Sequence, residues 1–202
     1  MLFGRGGTRD SWFAFNDAAW PSGEISSITD AGFPVGSIDT GVLWGNSTML
    51  TNISTLKTAG QTALFAAGGV HLLGASAGGL AVLAWATANP SLVKSITLVV
   101  PALDVQHIHT NDLGGFAAEI ETAYGGAPAD ADNPIDNLAD FEDFPIDLYY
   151  STDDPYTPLA TTEAFIAGVG SNVTGHNMGA QAHAWTVPWS GANVAAFISE
   201  ND

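Results

Sequence analysis

Cysteine is absent from the chain, so it has no disulfide, no thiolate nucleophile and no Cys-ligated metal, and covalent catalysis would have to use oxygen or nitrogen. Cationic side chains are almost as scarce. Four Lys and Arg stand against 21 Asp and Glu, a formal net charge of −17. A surface of that sign repels phosphate backbones, which excludes nucleic acid as an expected partner. The carboxylates are dispersed, so the acidity reads as solubility at high salt or in crowded surroundings rather than as a site for a cationic ligand. Long apolar runs are missing too. The longest, around Ala63 to Ala67 and Leu80 to Ala88, fall short of the about 20 helical residues that cross a bilayer. At the N-terminus, Met1-Leu2-Phe3-Gly4-Arg5-Gly6-Gly7 breaks into glycines where a signal peptide would continue apolar. The expectation is a soluble protein without signal peptide or membrane span, and no address to a compartment is visible.

What the chain does have is core material. Its 202 residues are 46% hydrophobic and 10% aromatic, enough for one domain spanning residues 1–202. No internal repeat is visible, and three N-x-S/T sequons at Asn46, Asn52 and Asn172 are what chance yields in this composition. Short apolar or β-branched runs bounded by Gly, Pro or Asp predict strands at Met1–Phe3, Pro34–Ile38, Val70–Leu73, Ser95–Val100, Ile146–Ser151 and Asn172–Thr174. Between them lie expected helices at Met49–Ala67, Ala77–Ala88, Leu159–Gly168 and Ser190–Ser199. This alternation predicts an α/β fold, a mostly parallel β-sheet flanked by helices. From about 105 to 144 the chain turns rich in Asp, Asn, Pro and Gly, with one amphipathic piece around Phe116 to Tyr124, and there a cap or lid insertion is expected.

The segment that carries chemistry is His71-Leu72-Leu73-Gly74-Ala75-Ser76-Ala77-Gly78-Gly79. A strand ending at Leu73, a Gly-x-Ser-x-Gly turn and an immediate small-residue helix place Ser76 on a sharp bend with its hydroxyl outward. At the head of that helix the Ala77 N–H has no intrahelical partner and carries partial positive charge, which suits it to an oxyanion formed when Ser76 attacks a carbonyl. A glycine-lined contact between helix and strand is the structural alternative.

With three further pieces in order, the chain resembles the α/β-hydrolase superfamily over nearly its whole length. Phe3-Gly4-Arg5-Gly6-Gly7 is similar to that family's His-Gly-x-Gly-Gly loop, which implies the Arg5 N–H as second oxyanion donor, with Phe3 in place of the usual His. A phosphate-cradling glycine loop is the competing reading, but the Walker lysine and the G-x-G-x-x-G spacing are both missing. Ser151-Thr152-Asp153-Asp154-Pro155-Tyr156-Thr157-Pro158 resembles the family's Gly-x-x-Asp turn after a strand, followed four residues on by proline. That match selects Asp154 as the acid, with Asp153 and Asp104 as alternatives and helix capping as the structural one. His183, in Gly179-Ala180-Gln181-Ala182-His183-Ala184-Trp185 ahead of the final helix, matches the family's base, and His176 nearer a strand reads as structural. His71 and Asp147 read as strand-start residues.

The resemblance implies a serine hydrolase cleaving a carboxylic ester through an acyl-enzyme, with Ser76, His183 and Asp154 as the triad and Arg5 and Ala77 at the oxyanion. It implies no metal and no organic cofactor. His107-x-His109 followed by Asp112 could be written as a metal site, since alternate residues of a strand share a face, but no second-shell or third ligand is evident and a solvated cap entrance is the preferred reading. Trp12, Tyr156 and Trp185 are candidate pocket residues for a small-molecule ester with an apolar or aromatic acyl part. Rival functions are a non-catalytic binding or structural module of the same fold, and acyltransferase, thioesterase or peptidase chemistry on the same triad. Family members carry strands upstream of the one at Met1–Phe3, so the chain is a minimal version or lacks upstream residues. The sheet edge this leaves makes a homo-oligomer a reasonable expectation.

Overall fold

The computed structural model describes residues 24–38, 43–64, 68–184 and 189–202. The expected strand at Met1–Phe3 and the glycine loop after it lie outside the described residues. In chain order the elements are α1 Glu24–Asp30, α2 Ser47–Leu64, β1 Val70–Ala75, α3 Ala77–Ala88, β2 Val93–Val99, α4 Val105–Thr110, α5 Ala117–Tyr124, β3 Ile146–Tyr150, α6 Leu159–Val169, β4 Val173–Asn177 and α7 Gly191–Glu200. Short 3-10 turns fill much of the stretch from α5 to β3. Four parallel strands form one sheet in the order β1-β2-β3-β4.

The period-2 rule assigns the strand side chains to two faces. Leu72, Ile96, Leu98, Ile146 and Leu148 point to the side covered by α2, α3 and α6, where Met49, Ile53, Leu83, Trp85, Phe165 and Val169 complete the larger core. Leu73, Ala75, Val99 and Tyr149 point the other way, against Ile28 of α1 and Val194, Ala195 and Ile198 of α7. The result is three layers, helix over sheet over helix. A third apolar group, with Trp44, Ala77, Leu80, Ala102, Val105, Ile108 and Ile120, sits at the head of α3 and joins α4 and α5 to it.

Local chemistry accounts for the helix ends. Asn46 Oδ1 accepts the N–H groups of Thr48 and Met49 at the start of α2. α3 is apolar on all sides and buried from Ala77 to Leu83, as its small residues require, and it stops where Asn89 precedes Pro90.

Three expectations are corrected. Pro34–Ile38 is neither helix nor strand: Pro34 has no N–H for a ladder, and Val35 and Ile38 pack toward the two opposite cores rather than onto one. The stretch after β2 is more regular than its composition suggested, because Asp104 Oδ1 accepts the His107 N–H and starts α4. On that helix His107 and His109 are two residues apart and face different ways, which removes the shared face a strand would give them. Finally, α1 was not expected at all; its Ile28 packs into the smaller core.

The most constrained backbone lies at the β1–α3 junction. A Cβ on Gly74 would sit 2.4 Å from the carbonyl oxygen of Gly78 and 2.8 Å from Val82 Cγ2. Gly74→Ala is therefore expected to cost about 1–3 kcal/mol of stability, read by chemical denaturation.

Candidate active site

Parallel pairing delivers the carboxyl ends of β1, β2 and β3 to one edge of the sheet, and the site is built from the turns that leave them. After β1 comes Ser76, with φ 53 and ψ −127, a backbone that non-glycine residues rarely adopt. Three hydrogen bonds hold it. Its N–H donates to Val99 O at 3.0 Å, and its carbonyl accepts from Gly79 N at 2.9 Å and Ala102 N at 3.0 Å. The turn is thus tied to β2 and to the start of its own helix, and the side chain is left pointing away from both. Ala77 is the first residue of α3, and its N–H has no acceptor among the described residues.

After β3 the chain turns through Asp153 and Asp154. Asp154 is 5% exposed, and its Oδ1 accepts the N–H groups of Tyr156 at 2.8 Å and Thr157 at 3.3 Å. Thr157 Oγ1 donates to Pro101 O at 2.6 Å, which ties this turn to the one after β2. The other oxygen, Asp154 Oδ2, lies 2.8 Å from His183 Nδ1, and His183 Nε2 lies 2.8 Å from Ser76 Oγ. With the carboxylate accepting from Nδ1–H, the Nε2 lone pair faces the serine hydroxyl. The structure thus brings Ser76, His183 and Asp154 into one continuous relay from residues 107 and 29 positions apart in sequence.

The alternatives occupy other places. Asp153 is exposed and bonds the Ala182 N–H and the Ser151 hydroxyl, not the imidazole. Asp104 caps α4 and accepts from Asn133 Nδ2. His176 lies within β4, where its Nε2 meets Asp147 Oδ1 and its ring stacks on Tyr149 with centroids 4.4 Å apart. Asp147 Oδ2 also accepts the Tyr149 hydroxyl at 2.9 Å, and burial, with Asp147 adding to it, pushes that phenol well above the usual tyrosine range. This second Asp–His pair is on the α7 side of the sheet and has no hydrogen bond to Ser76. His71, on β1, bonds Ser95 Oγ at 2.7 Å, and its burial lowers its pKa.

Of the expected pocket residues, Tyr156 stands edge-on to the His183 ring at 4.6 Å. Arg5, Trp12 and Trp185 lie outside the described residues. Sequence reasoning missed Phe116, which stacks on Tyr156 at 6.0 Å and reaches Trp44 at 5.5 Å. No local signal marks that row, since its three rings come from three distant segments. His107 Nδ1 meets Asn111 Nδ2 and His109 Nε2 meets Glu121 Oε1, and among the described residues no three His, Asp or Glu side chains gather as a metal would need.

No family model matches the sequence, and no curated protein does. Solved structures do match. The monoacylglycerol lipase of Paleococcus ferrophilus is 17% identical, with a TM-score of 0.61 over 98% of this chain and 91% of that one. Mycobacterium tuberculosis MPT51 (FbpC1) is 16% identical, with a TM-score of 0.69 over 98% and 86%. The Pyrococcus furiosus esterase Pf2001 is 12% identical, with a TM-score of 0.68 over 98% and 81%. The chain has the α/β-hydrolase fold. In an α/β-hydrolase the turn between a central strand and its following helix presents a side chain at the carboxyl edge of the sheet, which is where Ser76 stands. No described helix of this α/β-hydrolase fold is long and apolar enough to cross a membrane.

The tie between the two neighbouring turns is testable. Thr157→Val would leave the Pro101 carbonyl unpaired in a buried position, and it is expected to lower stability by about 1–3 kcal/mol, measured by thermal or urea unfolding.

Proposed function

We propose that this protein is a serine hydrolase that cleaves a carboxylic ester through an acyl-enzyme. The observation that carries the reading is the relay of two 2.8 Å contacts, Ser76 Oγ to His183 Nε2 and His183 Nδ1 to Asp154 Oδ2, beside a strained turn that presents the half-buried serine. In the proposed reaction His183 takes the Ser76 proton as the oxygen attacks the ester carbonyl, and Asp154 keeps the imidazole in the tautomer that accepts it. The tetrahedral oxyanion would take a hydrogen bond from the Ala77 N–H at the positive end of α3, and the Arg5 N–H is proposed as the second donor. The imidazolium then returns its proton to the departing alkoxide, leaving the acyl group on Ser76. Water, deprotonated by the same histidine, releases the acid and restores the hydroxyl. The buried Asp154, with both oxygens hydrogen-bonded, suits the role of the group that orients and stabilises the transient imidazolium.

Residues 105–144 form the proposed cap, since α4 and α5 pack on the head of α3 and bring Phe116 beside Tyr156. The row Tyr156, Phe116 and Trp44 leads away from the imidazole and favours an ester with an apolar or aromatic part. Two of the solved structures with the same fold are a monoacylglycerol lipase and an esterase, which supports ester hydrolysis over the other acyl transfers open to such a triad.

An acyl-chain-length series of p-nitrophenyl esters, with a fluorophosphonate probe, tests the proposal. Wild type is expected to hydrolyse the esters and take the label. Ser76→Ala should take none, and Ser76→Ala and His183→Ala should each lose at least about ten-thousandfold in kcat. Asp154→Asn, which keeps the shape but favours the wrong tautomer, should lose about ten-thousandfold as well. An unlabelled, inactive wild type would mark the chain as a binding module of the same fold.

A further inference from the structure

His183 is delivered by a loop whose backbone does not rest in a relaxed conformation. Ala182, immediately before it, has φ 51, a left-handed value that residues with a Cβ rarely adopt. Gly179 earlier in the loop has φ 78, where the lack of a side chain makes such a value easy, but position 182 has no such freedom. The conformation there must be imposed from outside.

Ser151 and Asp153, at the end of β3, are placed to impose it. Asp153 Oδ1 accepts the Ala182 N–H at 2.6 Å and the Ser151 hydroxyl proton at 2.8 Å. Ser151, wholly buried, accepts the Gln181 N–H on its Oγ at 2.9 Å, with Gly179 O 3.1 Å away. Gly179 O also accepts the Thr152 N–H at 2.9 Å, and the Gly179 N–H donates to Asn177 Oδ1 at 2.7 Å. Peptide groups 179, 181 and 182 are thereby pinned to the same turn that carries Asp154. The Ser151 hydroxyl first, and the Ala182 N–H after it, hold the Asp153 carboxyl below its ordinary pKa, so the acceptor keeps its charge into acidic solution. Ser151 stands where the turn this segment resembles has glycine, and glycine supplies no hydroxyl.

We propose that Asp153 and Ser151 are positioning residues, a hydrogen-bonded clasp on the Gln181–Ala182 backbone that sets His183 between Ser76 and Asp154. Its kinetic consequence rests on the ester-hydrolase reading of the site; its structural consequence does not. Three measurements on Asp153→Ala, Ser151→Ala, their double variant and Asp153→Asn decide it: kcat and KM on a p-nitrophenyl ester, Tm, and the downfield proton resonance of His183 Nδ1–H. Asp153→Ala and Ser151→Ala are each expected to lower kcat about tenfold or more with KM within about twofold, since small displacements of a catalytic group are costly in rate. Because the two residues act on one loop, the double variant should fall by less than the product of the single losses. Asp153→Asn keeps an acceptor oxygen and should stay within about threefold of wild type. The resonance should broaden or vanish in the two alanine variants and persist in Asp153→Asn.

Wild-type kcat and resonance in Asp153→Ala would overturn the clasp. So would an Asp153→Asn as impaired as Asp153→Ala, which would assign the effect to charge, or losses that follow a falling Tm. If wild type neither hydrolyses esters nor takes the fluorophosphonate label, the hydrolase reading fails alone, and the His183 resonance across the same variants still decides the clasp.

Discussion

Ser76 occupies a backbone conformation that has to be held in place, and the hydrogen bond from its N–H to Val99 O is what holds it to the sheet. That bond continues the β1–β2 ladder one residue past the end of β1, so the register of two parallel strands decides where the serine stands. The carbonyl of the same residue accepts from Gly79 and Ala102, which couples the turn to α3 and to the chain leaving β2. Gly79 has to be glycine for this, because a Cβ there would lie 2.6 Å from Pro101 Cβ. A left-handed serine is tolerable only where the surroundings over-determine it.

The same mode of construction recurs at the other two members of the relay. Thr157 reaches Pro101 O, so the acid-bearing turn after β3 is fastened to the turn after β2. Ser151 and Asp153 fasten the histidine loop to the turn after β3. Serine, acid and histidine are each referred back through short hydrogen bonds to adjacent parallel strands, and the spacing between strands becomes the spacing between side chains. This explains how a surface loop can hold His183 at 2.8 Å from two partners at once. The second Asp–His pair, on β3 and β4, shows the contrast. Asp147, His176 and Tyr149 satisfy one another within the sheet, and their polar atoms face inward to each other rather than to a substrate.

Much of this was legible in the order of residues, and the parts that were not share a cause. Short apolar or β-branched runs bounded by Gly, Pro or Asp located all four described strands, and an all-round apolar segment located α3 to its end residues, because burial on both sides leaves a plain mark in composition. Pro34–Ile38 misled because an apolar run shows that side chains will be buried, not that the backbone will be a strand. α4 was missed because a single capping bond from Asp104 outweighs the weak helix preference of the residues after it. The aromatic row Trp44, Phe116 and Tyr156 left no mark because it has no sequence period at all.

At the site, the division is equally physical. Sequence alone determined the turn chemistry: glycine where a Cβ would collide, a serine between strand and helix, an Asp-Pro turn after a later strand and a histidine before the closing helix, each a local requirement of backbone geometry. The likeness to the family's turn selected Asp154 over Asp153, but tertiary structure alone decided how the two adjacent carboxylates divide their partners. Asp153 and Asp154 differ by one position, and a turn sends one toward solvent and the Ala182 N–H and the other into the interior toward His183 Nδ1. A local pattern can name the residue, but the partner each carboxylate meets is set by the direction in which the chain leaves its strand.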